Sequence, residues 1–178
     1  MVARLPHKTA LRSLFALLVS ALLTGPDGAW AVGMTNDPKG FAGIPWGSSL
    51  DAVPSLVLKE TGEHIRRYDF KQSPPPFGEA AVESVRLFTF DGQFARVQVR
   101  YQGQRNHDML MKYLEAQFGP IERLPGTMMR GLNQQYTWRG SETEVTITYA
   151  AASERGNLFL ESRVLVPRFN DLLNDSGY

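Results

Sequence analysis

Val82-Glu83-Ser84-Val85-Arg86-Leu87-Phe88-Thr89-Phe90-Asp91-Gly92-Gln93-Phe94-Ala95-Arg96-Val97-Gln98-Val99-Arg100-Tyr101 alternates apolar and polar residues on both sides of an Asp-Gly pair. That pattern reads as a β-hairpin. A two-residue Asp91-Gly92 turn would pair Leu87 with Arg96 and Val85 with Gln98, mixing polar and apolar side chains on each face. A three-residue loop, Phe90-Asp91-Gly92 with the glycine as a bulge, pairs Phe88 with Phe94, Leu87 with Ala95 and Val85 with Val97. One face then becomes uniformly apolar: Val85, Leu87, Ala95, Val97 and Val99. A one-residue slip moves every side chain to the other face, so face consistency selects the bulged turn.

In that register Arg86, Phe88, Phe94, Arg96, Gln98 and Arg100 share the second face. Arg86 and Arg96 lie directly opposite each other, which is unfavourable unless an acid or a ligand intervenes. Glu142 and Glu144, on a neighbouring strand, could neutralise them. Alternatively the face takes an anionic or aromatic partner, and Arg86, Phe88, Phe94, Arg96 and Arg100 are the candidate binding residues.

Outward from the hairpin, Asn106 is expected to cap a helix that runs to Phe118 and stops at Gly119-Pro120. Leu110, Met111, Leu114 and Phe118 form its core stripe. Gln135–Trp138, Glu142–Tyr149 and Asn157–Val166 read as strands, with Val145, Ile147 and Tyr149 facing inward. Pro167 opens a short last helix carrying Phe169, Leu172 and Leu173. Before the hairpin, Ser48 and Asp51 approximate a capping box for a short helix carrying Leu50, Val53 and Val57, broken by Pro54. Val57–Phe70 is a weakly patterned strand region, and Lys71–Gly78, with three consecutive prolines, is an exposed loop. Trp46 is expected to anchor the edge of the sheet. The expected fold is α+β: one domain, an antiparallel sheet of five or six strands, with helices packed on one face.

The N-terminus carries an address. Arg4, Lys8 and Arg12 precede an apolar run, Leu14–Leu23, and Ala29-Trp30-Ala31 supplies the small-x-small pattern of a cleavage site. A ten-residue run falls short of the roughly 20 that span a bilayer. Residues 1–31 are therefore expected to be a signal peptide, 32–40 a flexible leader and 41–178 the domain. Periplasmic residence is expected, with full secretion as the alternative. The whole chain has 19 Lys+Arg and 18 Asp+Glu. Losing Arg4, Lys8, Arg12 and Asp27 leaves 16 basic and 17 acidic residues, net −1 with His neutral. Such a chain lacks the field that draws proteins to nucleic acid, and no stable membrane insertion is expected.

Cysteine is absent. Disulfides, thiol catalysis, iron–sulfur clusters and a lipid-bearing N-terminal Cys go with it. No Gly-x-Ser-x-Gly, His-Glu-x-x-His or phosphate-loop pattern occurs. His107-x-Met109-x-Met111 has ligand types that suit copper, with Met128-Met129 as further donors. Helical spacing, however, sets Met109 apart and puts Met111 on the core stripe. No catalytic residue, metal or cofactor is therefore assigned.

Phe41-x-Gly43-Ile44-Pro45-Trp46-Gly47-Ser48, followed by Leu50 and Val53, resembles the opening of small exported Gram-negative proteins of unknown function. That resemblance implies export and an α+β domain, and carries no activity. Through Gly47-x-Ser49-x-x-x-Val53 the chain also resembles, more loosely, outer-membrane assembly lipoproteins of the BamE/SmpA type. The expected function is a periplasmic binding or interaction module without catalysis, its partner an envelope protein or an anionic ligand. The alternative is a small hydrolase or metal-handling protein whose site is assembled from scattered residues. A deep polar pocket containing His64 or His107 would favour the alternative, and a flat exposed face the first.

Overall fold

The computed structural model describes residues 31–121 and 133–167. It corrects the expected architecture. The chain is mostly β: eight strands form one mixed sheet, two more form a separate hairpin, and the described residues hold one helix. In chain order these are β1 (Ala31–Gly33), β2 (Gly40–Phe41), β3 (Ile44–Pro45), β4 (Leu56–Thr61), β5 (Ile65–Phe70), β6 (Ser84–Phe90), β7 (Gln93–Gln102), α1 (Gln104–Phe118), β8 (Asn133–Arg139), β9 (Thr143–Ala150) and β10 (Arg155–Ser162). The sheet order is β1-β8-β9-β10-β7-β6-β5-β4. Two antiparallel meanders, β4–β7 and β8–β10, meet where β10 pairs with β7. The short β1 adds a parallel edge along β8. The last expected helix is described only at its start, where Val166 and Pro167 are helical; its remainder and Met128-Met129 lie outside the described residues.

The expected five or six strands fall short for local reasons. Val57–Phe70, read as one strand region, is mostly the β4–β5 hairpin. The expected helix at Ser48 does not form. Its residues make a run of turns in which Val53 N donates to the Leu50 carbonyl and Leu56 N to that of Val53. Asp51 does not cap: its carboxylate accepts from Tyr68 Oη at 2.7 Å and pairs with Arg66 at 3.3 Å. Leu50 still reaches the core. Lys71–Gly78 is a loop, and it buries Phe77 beside Phe41 with ring centroids 5.9 Å apart.

The central hairpin solves its parity problem in an unexpected place. Its turn is the two-residue Asp91-Gly92, both with positive φ, 47° and 78°, and Phe90 opposes Gln93. Asp-Gly suits that turn because both central positions are left-handed. The compensating bulge comes further along, at Ala95, where pairing moves from Thr89–Phe94 to Phe88–Arg96. Beyond it Leu87 opposes Val97 and Val85 opposes Val99, so the apolar face is preserved. The bulge exchanges two residues between faces. Phe94 enters the main core, and Ala95 joins Phe90 and Leu165 on the other side.

The core fills the first face of the sheet. Val85, Leu87, Val97, Val99, Leu158, Leu160, Val145, Ile147 and Trp138 project there from five adjoining strands. Helix α1 covers them with His107, Leu110, Met111, Leu114 and Phe118, whose spacing makes one stripe. The helix begins before Asn106, at Gln104 behind Gly103. Asn106 instead accepts from Ala81 N at 3.0 Å and donates to the Gln102 carbonyl at 2.8 Å. Trp46 packs at the rim, 4.7 Å from the Phe94 ring centroid, and its Nε1 donates to Thr143 Oγ1 at 2.9 Å.

The stretch expected to be a flexible leader is built into the fold. Met34 N donates to the Arg139 carbonyl and Thr35 N to that of Phe118. Asp37 Oδ2 accepts from Ser141 Oγ at 2.9 Å and from Glu142 N at 2.7 Å, while Oδ1 accepts from Lys39 N at 3.0 Å. Burial pushes the Asp37 carboxyl up, but hydrogen bonds from Glu142, Thr143, Lys39 and Ser141 outweigh it and hold it well below the usual carboxylate range. A depressed carboxyl contributes stability above its unfolded pKa, about 3.9, and loses it as pH falls further. Asp37→Asn should therefore cost about 1–2 kcal/mol at pH 7, where charged hydrogen bonds are lost. That difference should shrink in urea melts as the pH is lowered from 5 towards 3. A cost independent of pH would rule out the charged clasp.

Candidate functional site

The second face of the sheet is polar, because alternate residues of seven strands point there. Cross-strand pairing sets them in rows. One row runs Glu60, Arg67, Phe88, Arg96, Glu161, Glu144, Arg139 from β4 to β8. Its charges are paired, within the row or, for Arg67, also with Asp69 of the next. Arg67 meets Glu60 at 2.5 Å and Asp69 at 3.2 Å, Arg96 meets Glu161, and Arg139 meets Glu144 at 2.6 Å. The Arg67 hydrogen bond holds the Glu60 carboxyl below its usual range. Burial holds that of Glu161 above it against the pull of Arg96, with Glu144 adding to the rise. Arg96 also lies over the Phe159 ring, 5.7 Å from its centroid.

The next rows differ. Asp69, Arg86, Gln98, Phe159, Thr146 and Thr137 form one; Ser84, Arg100, Asn157, Thr148 and Gln135 form the other. Gln98 Nε2 donates to Asn157 Oδ1 at 3.3 Å. Arg86 and Arg100 are diagonal neighbours of the same strand pair, flanking this amide pair, and neither makes an ion pair with a described residue. Arg86 is half-buried and Arg100 exposed. Helix α1 and the β2–β3 lobe pack on the opposite face, and Leu165 meets this one at its Phe90 end.

The five expected binding residues thus divide. Arg86, Phe88, Arg96 and Arg100 share the second face. Phe94 does not: the Ala95 bulge turns it into the core, where it is fully buried. Arg86 and Arg96 do not confront each other, since Arg86 opposes Gln98 and Arg96 opposes Phe88. The neutralising acid is Glu161, while Glu144 serves Arg139 and Glu142 serves Lys39. Sequence reasoning missed Arg67, Asn157, Phe159 and Glu161. The alternation Asn157-Leu158-Phe159-Leu160-Glu161 was the available signal, blurred because an outward phenylalanine looks like a core residue.

The two described histidines, His64 and His107, have different fates. His64 sits at the hairpin tip, where Nδ1 lies 2.8 Å from Asp91 Oδ1, and that hydrogen bond raises its pKa. His107 is buried on α1. Its Nδ1 is 2.8 Å from Tyr101 Oη, its ring stacks on Tyr149 with centroids 4.5 Å apart, and its Nε2 is 3.2 Å from Gln134 Oε1. Tyr101 Oη donates to the Thr148 carbonyl at 3.0 Å, and burial chiefly raises the Tyr101 pKa. Beside His107, a half-open cavity of about 170 Å³ is lined by Asp108, Met111, Lys112, Glu115, Gln134 and Tyr136 as well. Among the described residues no group of three or more His, Asp or Glu is placed to hold a metal ion. Nor is any described helix long and apolar enough to cross a membrane.

No protein-family model, no curated protein and no solved structure matches this chain.

Proposed function

We propose that this chain is a binding module of the bacterial envelope that works without catalysis and presents the polar face of its sheet to an acidic protein surface. One observation carries the reading. On a face whose other charges pair across strands, Arg86 and Arg100 flank the Gln98–Asn157 amide pair and make no ion pair with a described residue. Arginine forks beside amide donors suit carboxylates, and half-exposed Phe88 and Phe159 add apolar contact. Sheet residues hold this geometry, so little ordering is needed on binding.

The second reading, a small hydrolase or metal-handling protein, draws on the cavity beside His107. That imidazole is held by Tyr101 and Gln134, and the described lining contains no Ser or Thr to serve as nucleophile.

Photo-crosslinking in cells of the native host tests the proposal. A photoreactive residue at Gln98 or Asn157 should give a discrete adduct, and one at Lys112, across the sheet, should not. Arg86→Glu with Arg100→Glu should reduce the adduct at least roughly tenfold, as loss of close charge pairs does, while the thermal melt stays unchanged. Equal labelling from both faces, or an adduct indifferent to charge reversal, would reject the face.

A further inference from the structure

We propose that the cleft between α1 and the proline loop binds a proline-rich peptide in the polyproline II conformation. The cleft lies on the opposite side of the sheet from Arg86 and Arg100 and is independent of the function proposed above.

Its volume is about 230 Å³, and three segments wall it. One is the 36–42 stretch, held by the Asp37 clasp and by the bond from Thr35 N to the Phe118 carbonyl. The second is the loop at Pro75, Pro76 and Phe77. That loop is pinned to α1, since Asn106 accepts from Ala81 N and Gly78, with φ of 62°, lies against the Tyr113 ring. The third is the flank of α1 that carries Tyr113 and Gln117. The walls are thus set before any ligand arrives, which keeps the ordering cost of binding small.

The lining selects the ligand by charge, by shape and by hydrogen bonding. No charged residue lines the cleft. A fatty acid, a phosphate ester or a free amino acid would lose hydration there without a counter-ion. What enters is neutral, as the interior of a peptide is. Phe41 and Phe77 stack with centroids 5.9 Å apart, Tyr113 meets Phe77 edge-on at 6.0 Å, and Pro38, Pro75 and Pro76 add further rings. Rigid rings of this kind line the grooves that seat polyproline II segments. The side-chain amides of Asn36 and Gln117 are exposed at the cleft, and neither bonds a described residue. Polyproline II makes no internal hydrogen bonds, so its carbonyls are open to such donors. Addition of a β-strand is closed off, because β10, the sheet strand that lines the cleft through Leu160, is paired on both sides.

The test is a titration of the full chain with hexaproline blocked at both ends, followed by the amide NMR signals of residues 39–42 and 113–118. A blocked Gly-Ser hexapeptide and octanoate are the controls. Hexaproline should saturate with Kd below about 1 mM, the scale of a weak but specific complex. Each control should bind at least roughly tenfold more weakly, for want of rings or of a counter-ion. Gln117→Ala, an exposed change, should weaken hexaproline at least roughly threefold, the loss of one hydrogen bond, and leave the melting temperature unmoved. Tyr113→Leu, which keeps bulk but removes a ring, should weaken it roughly tenfold. Arg86→Glu with Arg100→Glu should leave this binding unchanged, so the two sites stand or fall separately. Four results would overturn the assignment. They are no saturable shift with hexaproline, a control binding as tightly, unchanged binding in both single variants, or shifts that follow protein concentration and not peptide, which would give the cleft to a second copy of the chain.

Discussion

Trp138→Ala is expected to remove roughly 3–5 kcal/mol of stability, the range for truncating a buried large aromatic. Trp138 has no exposed surface. It is flanked by Val145 on β9 and Val32 on β1, and its ring centroid lies 6.4 Å from that of Phe118. The indole also donates from Nε1 to the Gly119 carbonyl at 2.8 Å, just past the end of α1. Truncation therefore opens a cavity under the helix terminus and orphans a carbonyl. Urea denaturation should show a lower midpoint with an unchanged slope. Trp138→Phe separates the two contributions, since it keeps most of the bulk and should cost about 1–3 kcal/mol for the unsatisfied acceptor. A cost below about 1 kcal/mol for the alanine variant would mean that this tryptophan is not the keystone described.

The second large effect falls on a glycine. Gly156 lies between Tyr101 on β7 and Tyr149 on β9, and the hydroxyl end of the Tyr101 ring occupies the space a side chain there would need. A β-carbon there would stand 2.0 Å from Tyr101 Cζ. The ring must move, and moving it breaks the hydroxyl contacts to His107 and the Thr148 carbonyl. Gly156→Ala should cost about 3 kcal/mol, at the upper end for overpacking. In a Tyr101→Ala background the same change should cost no more than about 1 kcal/mol, leaving a coupling of about 2 kcal/mol in the double-mutant cycle. Additive losses would show that the ring does not rest on the glycine.

Sequence reading succeeded where periodicity was long and one-sided. The α1 stripe, the inward Val145, Ile147 and Tyr149, and the shared face of Val85, Leu87, Val97 and Val99 follow from spacing alone. It failed where a side chain's fate depends on distant partners. Nothing near Ala95 marks it as a bulge, so the parity change was assigned to the turn and Phe94 to the wrong face. Ser48 and Asp51 look like a cap, yet Tyr68 and Arg66 claim the carboxylate. Val32–Lys39 has a leader's composition, but its hydrogen bonds are supplied by Phe118 and residues 139–143. The candidate face was half legible: Arg86, Arg96 and Arg100 could be read from alternation, whereas the pairing of Arg96 with Glu161 required the β10–β7 register, and Arg67 with its partners Glu60 and Asp69 went unread.

The clasp at Asp37 also ties together the two ends of a timetable. A ribosome makes residues 31–46 early, and their partners late: β1 waits for Thr137–Arg139, Asp37 for Ser141 and Glu142, and Trp46 for Thr143. The gap is 104 residues from Asp37 to Ser141. At about 5–20 residues per second, the opening segment spends roughly 5–20 s without its partners before the sheet can close over it. Nascent chains halted before Thr143 should therefore hold their first segment open to protease, and completing β8 and β9 is the event that seals it.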